Sequence, residues 1–342
     1  MYRTPPDIAP RETASALSRR DFLAWSGSCC AHLMWMSAAT SLGARRLFAA
    51  EPQGKVVADE PWGRIEELHD GVWAIVSTPL RSNDWTTLAN GGIVAGKERV
   101  LVIEAFARPA GAAWAARQAQ ALTGRRPTDV VITHYHGDHA NGVSGYLENG
   151  DAPRIWITGK TRALLNQDGG RRDGRGDEGV RFSLFEGAAE LAADQSTEFD
   201  LGGRKVRLEP RAGHTASDVT IELDDPSVVF CGDLLWNGMF PNFRDTLPSL
   251  FADSIRAMRR ERETVYVPGH GPLAGQADVD RLLAVLAEVE KAARESFGTE
   301  ATADEVGSRF TLPESLGQWK LFSDDYFKVA IGAWHRELGA RR

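Results

Sequence analysis

The chain has 342 residues, 42% hydrophobic and 25% charged. Those fractions fit a globular protein and exclude collagenous, disordered and polytopic membrane classes. Forty basic against 47 acidic side chains leave a formal charge of −7, which argues against a nucleic-acid binder, and three cysteines cannot build a disulfide scaffold.

The N-terminal fifty residues differ from the rest. They hold six arginines against three acids, leaving 34 basic and 44 acidic side chains on residues 51–342. Ser18-Arg19-Arg20-Asp21-Phe22-Leu23 precedes an apolar run to about Leu42, with small residues at Ala38 and Ala39. A basic region, an apolar region and small residues make a signal-peptide pattern. The arginine pair followed by Phe-Leu resembles the bacterial twin-arginine export signal. Ser26, Gly27, Ser28, His32 and Ser37 dilute the apolar run, which favours a cleaved signal over a permanent anchor. Residues 1–50 are therefore expected to be a signal read by the twin-arginine export machinery. The expected location is the periplasm, with membrane attachment only if the signal stays uncleaved. Cleavage removes Cys29 and Cys30 and leaves Cys231 alone, so no internal disulfide is expected.

The body reads as alternating strands and helices, an α/β chain. Val72–Val76 is a strand, and Gly91–Val94 and Val100–Ile103 form a hairpin about Gly96-Lys97-Glu98. Ala110–Leu122 is Ala-rich and free of proline, a helix that Gly124 should stop. Val130–Ile132 is a buried strand leading into a histidine cluster. A helix is expected to start within His139–Leu147, and Ile155–Ile157 is a strand. Asn166–Gly179 has no apolar side chain and is expected to be a loop. Strands follow at Val206–Leu208, Val219–Leu223, Val228–Phe230 and Val265–Val267, with a helix over Leu247–Arg260. Val279, Leu282, Leu283, Leu286 and Val289 share one helix face. Residues 303–309 and 323–338 complete a helical tail. Helical spacing makes Phe322–Tyr326 and Phe327–Trp334 core contacts. The expected division is a signal over 1–50, a catalytic domain over 51–274 and a helical extension over 275–342.

Thr133-His134-Tyr135-His136-Gly137-Asp138-His139 places four metal-competent side chains within six residues. His134 and His136 project to the same side of an extended segment, while Asp138 and His139 follow in a turn. One such cluster completes no coordination shell. His214, in Gly213-His214-Thr215, is set just before a strand. Asp233, in Gly232-Asp233, and His270, in Gly269-His270-Gly271, are set just after strands. Each has a flanking glycine, which permits close backbone approach. Cys231, two residues before Asp233, reads as a buried strand residue.

In that order, His-x-His-x-Asp-His, Gly-His-Thr, Gly-Asp and Gly-His-Gly resemble the metallo-β-lactamase superfamily over roughly residues 62–274. The resemblance implies an αββα sandwich with a metal site at one edge, between two sheets. It implies that His134, His136 and His214 hold a first metal, that Asp138, His139 and His270 hold a second, and that Asp233 bridges them. Asp138 is also the expected catalytic residue. Imidazole and carboxylate donors suit two Zn²⁺ per chain, with Fe or Mn as alternatives. Bound water then ionises at a pKa of about 7, and the hydroxide attacks a carbonyl. The expected substrate is a small molecule with an ester, thioester, lactone or amide-like bond, closest to glyoxalase II-like hydrolases. Trp85, within the Pro79–Thr87 flap region, and Trp236, close after Asp233, are candidate substrate contacts. The alternatives are a mono-iron persulfide dioxygenase and a periplasmic β-lactamase. His139 and His270 argue against the first, and the lack of a lysine for a β-lactam carboxylate argues against the second. Glu104 departs from the family pattern, which commonly has Asp there.

Overall fold

The computed structural model describes residues 53–78, 83–148, 152–169 and 178–341. The expected signal over 1–50 lies outside them. No helix among the described residues is long and apolar enough to cross a membrane.

Eight strands form one sheet in the order β1 to β8: Lys55–Glu60, Gly63–His69, Val72–Ser77, Gly91–Ala95, Val100–Ile103, Asp129–Val131, Arg154–Thr158 and Ala189–Leu191. The β1–β5 pairs are antiparallel, and β5 through β8 run parallel. A five-stranded sheet has the order β13-β12-β11-β10-β9, from Val265–His270, Val228–Trp236, Asp218–Leu223, Lys205–Arg211 and Thr197–Asp200. Only β12 and β13 are parallel there.

Strand alternation explains the layers. On β3, Val72, Ala74 and Val76 face the second sheet, while Trp73 and Ile75 face outward. Leu101 and Ile103 of β5 point inward, and Val100 and Val102 outward. On β12, Val228 and Phe230 point inward, while Val229 and Cys231 face the far side. Nearly every position is apolar because both faces are covered. Helix α1 (Pro109–Thr123) covers the first sheet through Ala112, Trp114, Ala115, Ala116 and Ala119. Gly124, left-handed at φ 73°, ends it as expected. The second sheet is covered by α5 (Pro248–Met258), α6 (Gln276–Ser296) and α8 (Tyr326–Ala340). The result is the expected αββα sandwich with C-terminal helices. The extension shares one apolar core with the second sheet: Val279, Leu282 and Trp334 pack with Val229 and Tyr266.

Four sequence expectations change. The helix expected within His139–Leu147 is split into α2 (Gly137–Ala140) and a 3-10 turn over Val143–Leu147. Gly142 and Gly145 there lie against the backbone of residues 105–109, with no room for a Cβ. The Asn166–Gly179 loop is shorter than expected, because α3 (Gly159–Gly169) and α4 (Glu178–Glu186) take its ends. β12 runs on past Phe230 to Trp236, so Asp233 lies within a strand, and β13 likewise includes His270. Phe322 precedes α8, so its position is set by a loop and not by helical spacing. The remaining helix, α7 (Ala303–Arg309), matches the expected range.

The sheets approach closely at Gly92 on β4, where a Cβ would fall 2.1 Å from Phe230 Cε1. Overfilling a packed core costs about 1–3 kcal/mol. Gly92→Ala is therefore expected to lower the thermal midpoint by several degrees. An unchanged midpoint in a melting experiment would contradict this packing.

Candidate metal centre

Four chain segments at one edge of the sandwich, two of them within strands, bring the seven residues together. The chain leaves β6 through Ile132 and Thr133, and His134, His136, Asp138 and His139 follow within a few residues. His214 sits in the turn from β10 to β11. Asp218 holds that turn by accepting from the Thr215 amide at 3.0 Å and its hydroxyl at 2.7 Å. Burial pushes the Asp218 carboxyl up, to about 7, despite those bonds. The Val219 amide donates to the Thr133 carbonyl at 2.9 Å, joining two ligand-bearing segments.

Asp233 follows a bulge in β12. Gly232 takes φ 52°, and a Cβ there would meet the Thr133 hydroxyl at 2.8 Å. His270 ends β13, and a Cβ on the preceding Gly269 would fall 2.0 Å from Asp233 Oδ1. Both glycines allow the two strand ends and Thr133 to converge.

The donor atoms make two groups. His134 Nε2 and His214 Nε2 lie 3.1 and 3.0 Å from His136 Nδ1. Asp138 Oδ2 lies 3.2 Å from His270 Nε2 and 3.7 Å from His139 Nε2. Asp233 sits between the groups. Its Oδ2 is 3.1 Å from His214 Nε2, and its Oδ1 is 3.1 Å from His139 Nε2 and 3.3 Å from His270 Nε2. In both groups, the set His134, His136, His214 and Asp233 and the set Asp138, His139 and His270, the ligand atoms lie within 4.8 Å of one another.

The donors fit a metal pair. His139 Nε2 and Asp233 Oδ1 are buried and close, yet neither has a correctly directed hydrogen bond. Atoms that approach without bonding each other are aimed at a shared point, and nitrogen and carboxylate donors of this kind suit Zn²⁺. Electrostatics agree. Burial drives the His134 ring far down and His214 to about 3, so both are neutral, the form that ligates. Burial also opposes protonation of His139 and His270, but Asp233, with Asp138, outweighs it. His139 is raised well above its usual range and His270 to about 9. Without metal, protons on these two rings neutralise the two aspartates. Burial pushes the Asp233 carboxyl up as well, yet His270, His139 and His214 hold it well below the usual carboxylate range.

Outer partners fix the rings. Glu104 Oε1 accepts from His139 Nδ1 at 2.9 Å and from the Thr133 hydroxyl at 2.5 Å. That hydroxyl lies 3.0 Å from His134 Nδ1 and accepts its proton. One carboxylate thus orients a ring of each group. The longer side chain still reaches the ligands, so the departure at Glu104 leaves their support intact. Glu104 holds φ 80°, which side chains rarely adopt. Its carbonyl accepts from the Tyr146 hydroxyl at 2.6 Å, and its amide donates to the Val131 carbonyl.

Two residues that sequence reasoning missed belong here. Asp245 Oδ2 lies 3.0 Å from His136 Nε2. Burial pushes the Asp245 carboxyl up, but hydrogen bonds from His136 and Tyr135 bring it to about 2. Asn90 donates to the carbonyls of Pro268 and Gly271 at 2.9 and 2.8 Å, clamping the His270 turn. No spacing in the sequence links either residue to its partner. Trp236 lies against His270, with ring centroids 4.2 Å apart. Trp85 is buried in the loop before β4, and Cys231 is buried as expected.

This fold and this convergence of donors define a metallo-hydrolase scaffold. The chain belongs to the metallo-beta-lactamase superfamily, whose description matches residues 86–270. Among its relatives, the hydroxyacylglutathione hydrolase of Acidiphilium cryptum (strain JF-5) is 26% identical over 272 residues, 79% of this chain and 96% of that protein. The hydroxyacylglutathione hydrolase of Rhodopseudomonas palustris (strain BisA53) is 27% identical over 194 residues, 56% of this chain. That match spans 66% of the relative, just under two thirds of its length. A metallo-beta-lactamase structure from Pontibacter korlensis superimposes with a TM-score of 0.53 at 19% identity, covering 66% of this chain and 99% of that one. The last likeness is one of fold. The superfamily and the His/Asp cluster together imply a divalent metal.

The protonated rings make metal uptake pH-dependent. His139 and His270 must lose protons to ligate, whereas His134 and His214 are already neutral. In the metal-free protein the raised values stabilise the fold fully below the ordinary histidine pKa of about 6.5. That contribution fades as pH rises through about 9. Zn²⁺ added at pH 7.5 should release roughly two to three protons per chain, two from these rings and the remainder from metal-bound water. Calorimetry in buffers of differing ionisation enthalpy measures this number, and zero would contradict the charge arrangement.

Proposed function

We propose that this chain is a dinuclear zinc hydrolase that cleaves acyl thioesters. One observation carries the reading: the two oxygens of Asp233 face two separate groups of donors, His214 on one side and His139 with His270 on the other. The presence of His139 and His270 beside Asp233 favours two metals over a single iron. When bound, the metals supply Lewis acidity and lower the pKa of coordinated water to about 7.

The chain's own residues do the rest. His134, His136 and His214 would hold the first metal, Asp138, His139 and His270 the second, with Asp233 between the two groups. Glu104 and Asp245 keep the rings aimed. Asp233 is 3% exposed, whereas Asp138 is 24% exposed. Asp138 is therefore the carboxylate more open to incoming water, and the oxygen not held by the second metal would take its proton. Water is the nucleophile, so no serine or cysteine is required, and buried Cys231 stays outside the chemistry.

The relatives named as hydroxyacylglutathione hydrolases favour a thioester. Export through the twin-arginine route to the periplasm belongs to the same proposal and rests on residues 18–42 alone.

Hydrolysis of a hydroxyacylglutathione should exceed that of the same acyl group on a neutral thiol. His136→Ala and Asp138→Ala should each lower kcat/KM at least about 100-fold. Unchanged rates in these variants, or turnover confined to β-lactams, would overturn the reading.

A further inference from the structure

The C-terminal extension reaches the metal centre at one side chain. Phe322 packs on the core under the C-terminal helices and also on a small apolar cluster of Trp236 and Met239. Trp236 ends β12, in register with His270 on β13. Its ring lies 4.2 Å from that of His270 and 6.2 Å from that of His214. The Phe322 ring lies 6.1 Å from Trp236 and 6.4 Å from His270, edge-on to both.

This placement is built. The Phe240 amide donates to the Lys320 carbonyl at 2.9 Å, and the Lys320 amide donates to the Gly238 carbonyl at 3.0 Å. These two bonds stitch the loop before α8 to the chain leaving β12. Phe322 then follows two residues after the stitch. Trp236 is 4% and Met239 1% exposed, whereas Phe322 is half-buried. An aromatic ring beside a polar metal centre gains nothing from water on its open part.

We infer that Phe322 is a specificity-determining residue, which with Trp236 forms an apolar wall for the acyl group of the substrate. The inference rests on the thioester reading above. Phe322 adjoins His270, in the second donor group. The acyl chain is the apolar part of such a substrate, whereas the thiol carrier is polar, so an apolar ring beside the site fits the acyl end. Aliphatic and aryl acyl groups are accordingly the favoured class.

The test compares wild type, Phe322→Ala and Phe322→Leu, each zinc-loaded and with zinc content measured. Acetyl, hexanoyl and phenylacetyl thioesters of one thiol serve as substrates. Calorimetry measures binding of the product carboxylates acetate, hexanoate and phenylacetate. The ratio of kcat/KM for hexanoyl over acetyl should fall about tenfold in Phe322→Ala, with partial recovery in Phe322→Leu. Preference for hexanoate over acetate in binding should fall alongside. Equal losses on all three substrates, or an unchanged ratio, would overturn the inference. If wild type cleaves no thioester yet binds hexanoate better than acetate, and Phe322→Ala removes that preference, the thioester reading fails while the apolar wall stands.

Discussion

The Asp233 carboxylate is a negative charge almost wholly removed from water, and the architecture of this edge answers to it. An unpaired buried charge costs several kcal/mol. Asp233 meets that cost by lying about 3 Å from three histidine rings, two through one oxygen and one through the other. Protons on His139 and His270 balance the charge in the metal-free chain. A divalent metal would balance it with the rings neutral. In the first group burial, helped by the neighbouring histidine rings, outweighs Asp233 and expels the protons.

Holding that charge in place requires contributions from both sheets. The parallel strand β6 delivers the histidine cluster, β12 delivers Asp233 through its bulge, and β13 delivers His270. None of these ends is self-supporting. Asn90, in the loop before β4, ties the His270 turn to the first sheet. Glu104, at the end of β5, orients His139 directly and His134 through Thr133. A single strained residue thus couples the two donor groups. The extension adds a further layer, sharing a core with the second sheet and carrying Phe322 to the site.

Much of this was legible in the residues. Val100-Leu101-Val102-Ile103 is apolar at every position, the mark of a strand covered on both faces. His134 to His139 and the three glycine-flanked ligands are local signals, readable because the first form a dense cluster and each of the others sits beside a glycine near an apolar run. What could not be read is long-range. Asp245 meets His136 across 109 residues, and Asn90 meets Gly271 across 181. Nothing in either segment names its partner. The continuation of β12 past Gly232 was hidden because a bulge breaks the periodic pattern. The split helix after His139 was hidden because Gly142 and Gly145 serve a tertiary contact, not local propensity. Phe322 looked like a helix-face residue because its spacing to Tyr326 is helical, yet a backbone stitch at Lys320 decides where it goes.

The central claim is that Asp233 joins two metals. Elemental analysis of the purified full chain tests it most directly, paired with the same measurement on Asp233→Asn. Two zinc ions per chain, falling to one or fewer in the variant, is the predicted result. One iron per chain, or a content that Asp233→Asn leaves untouched, would contradict it.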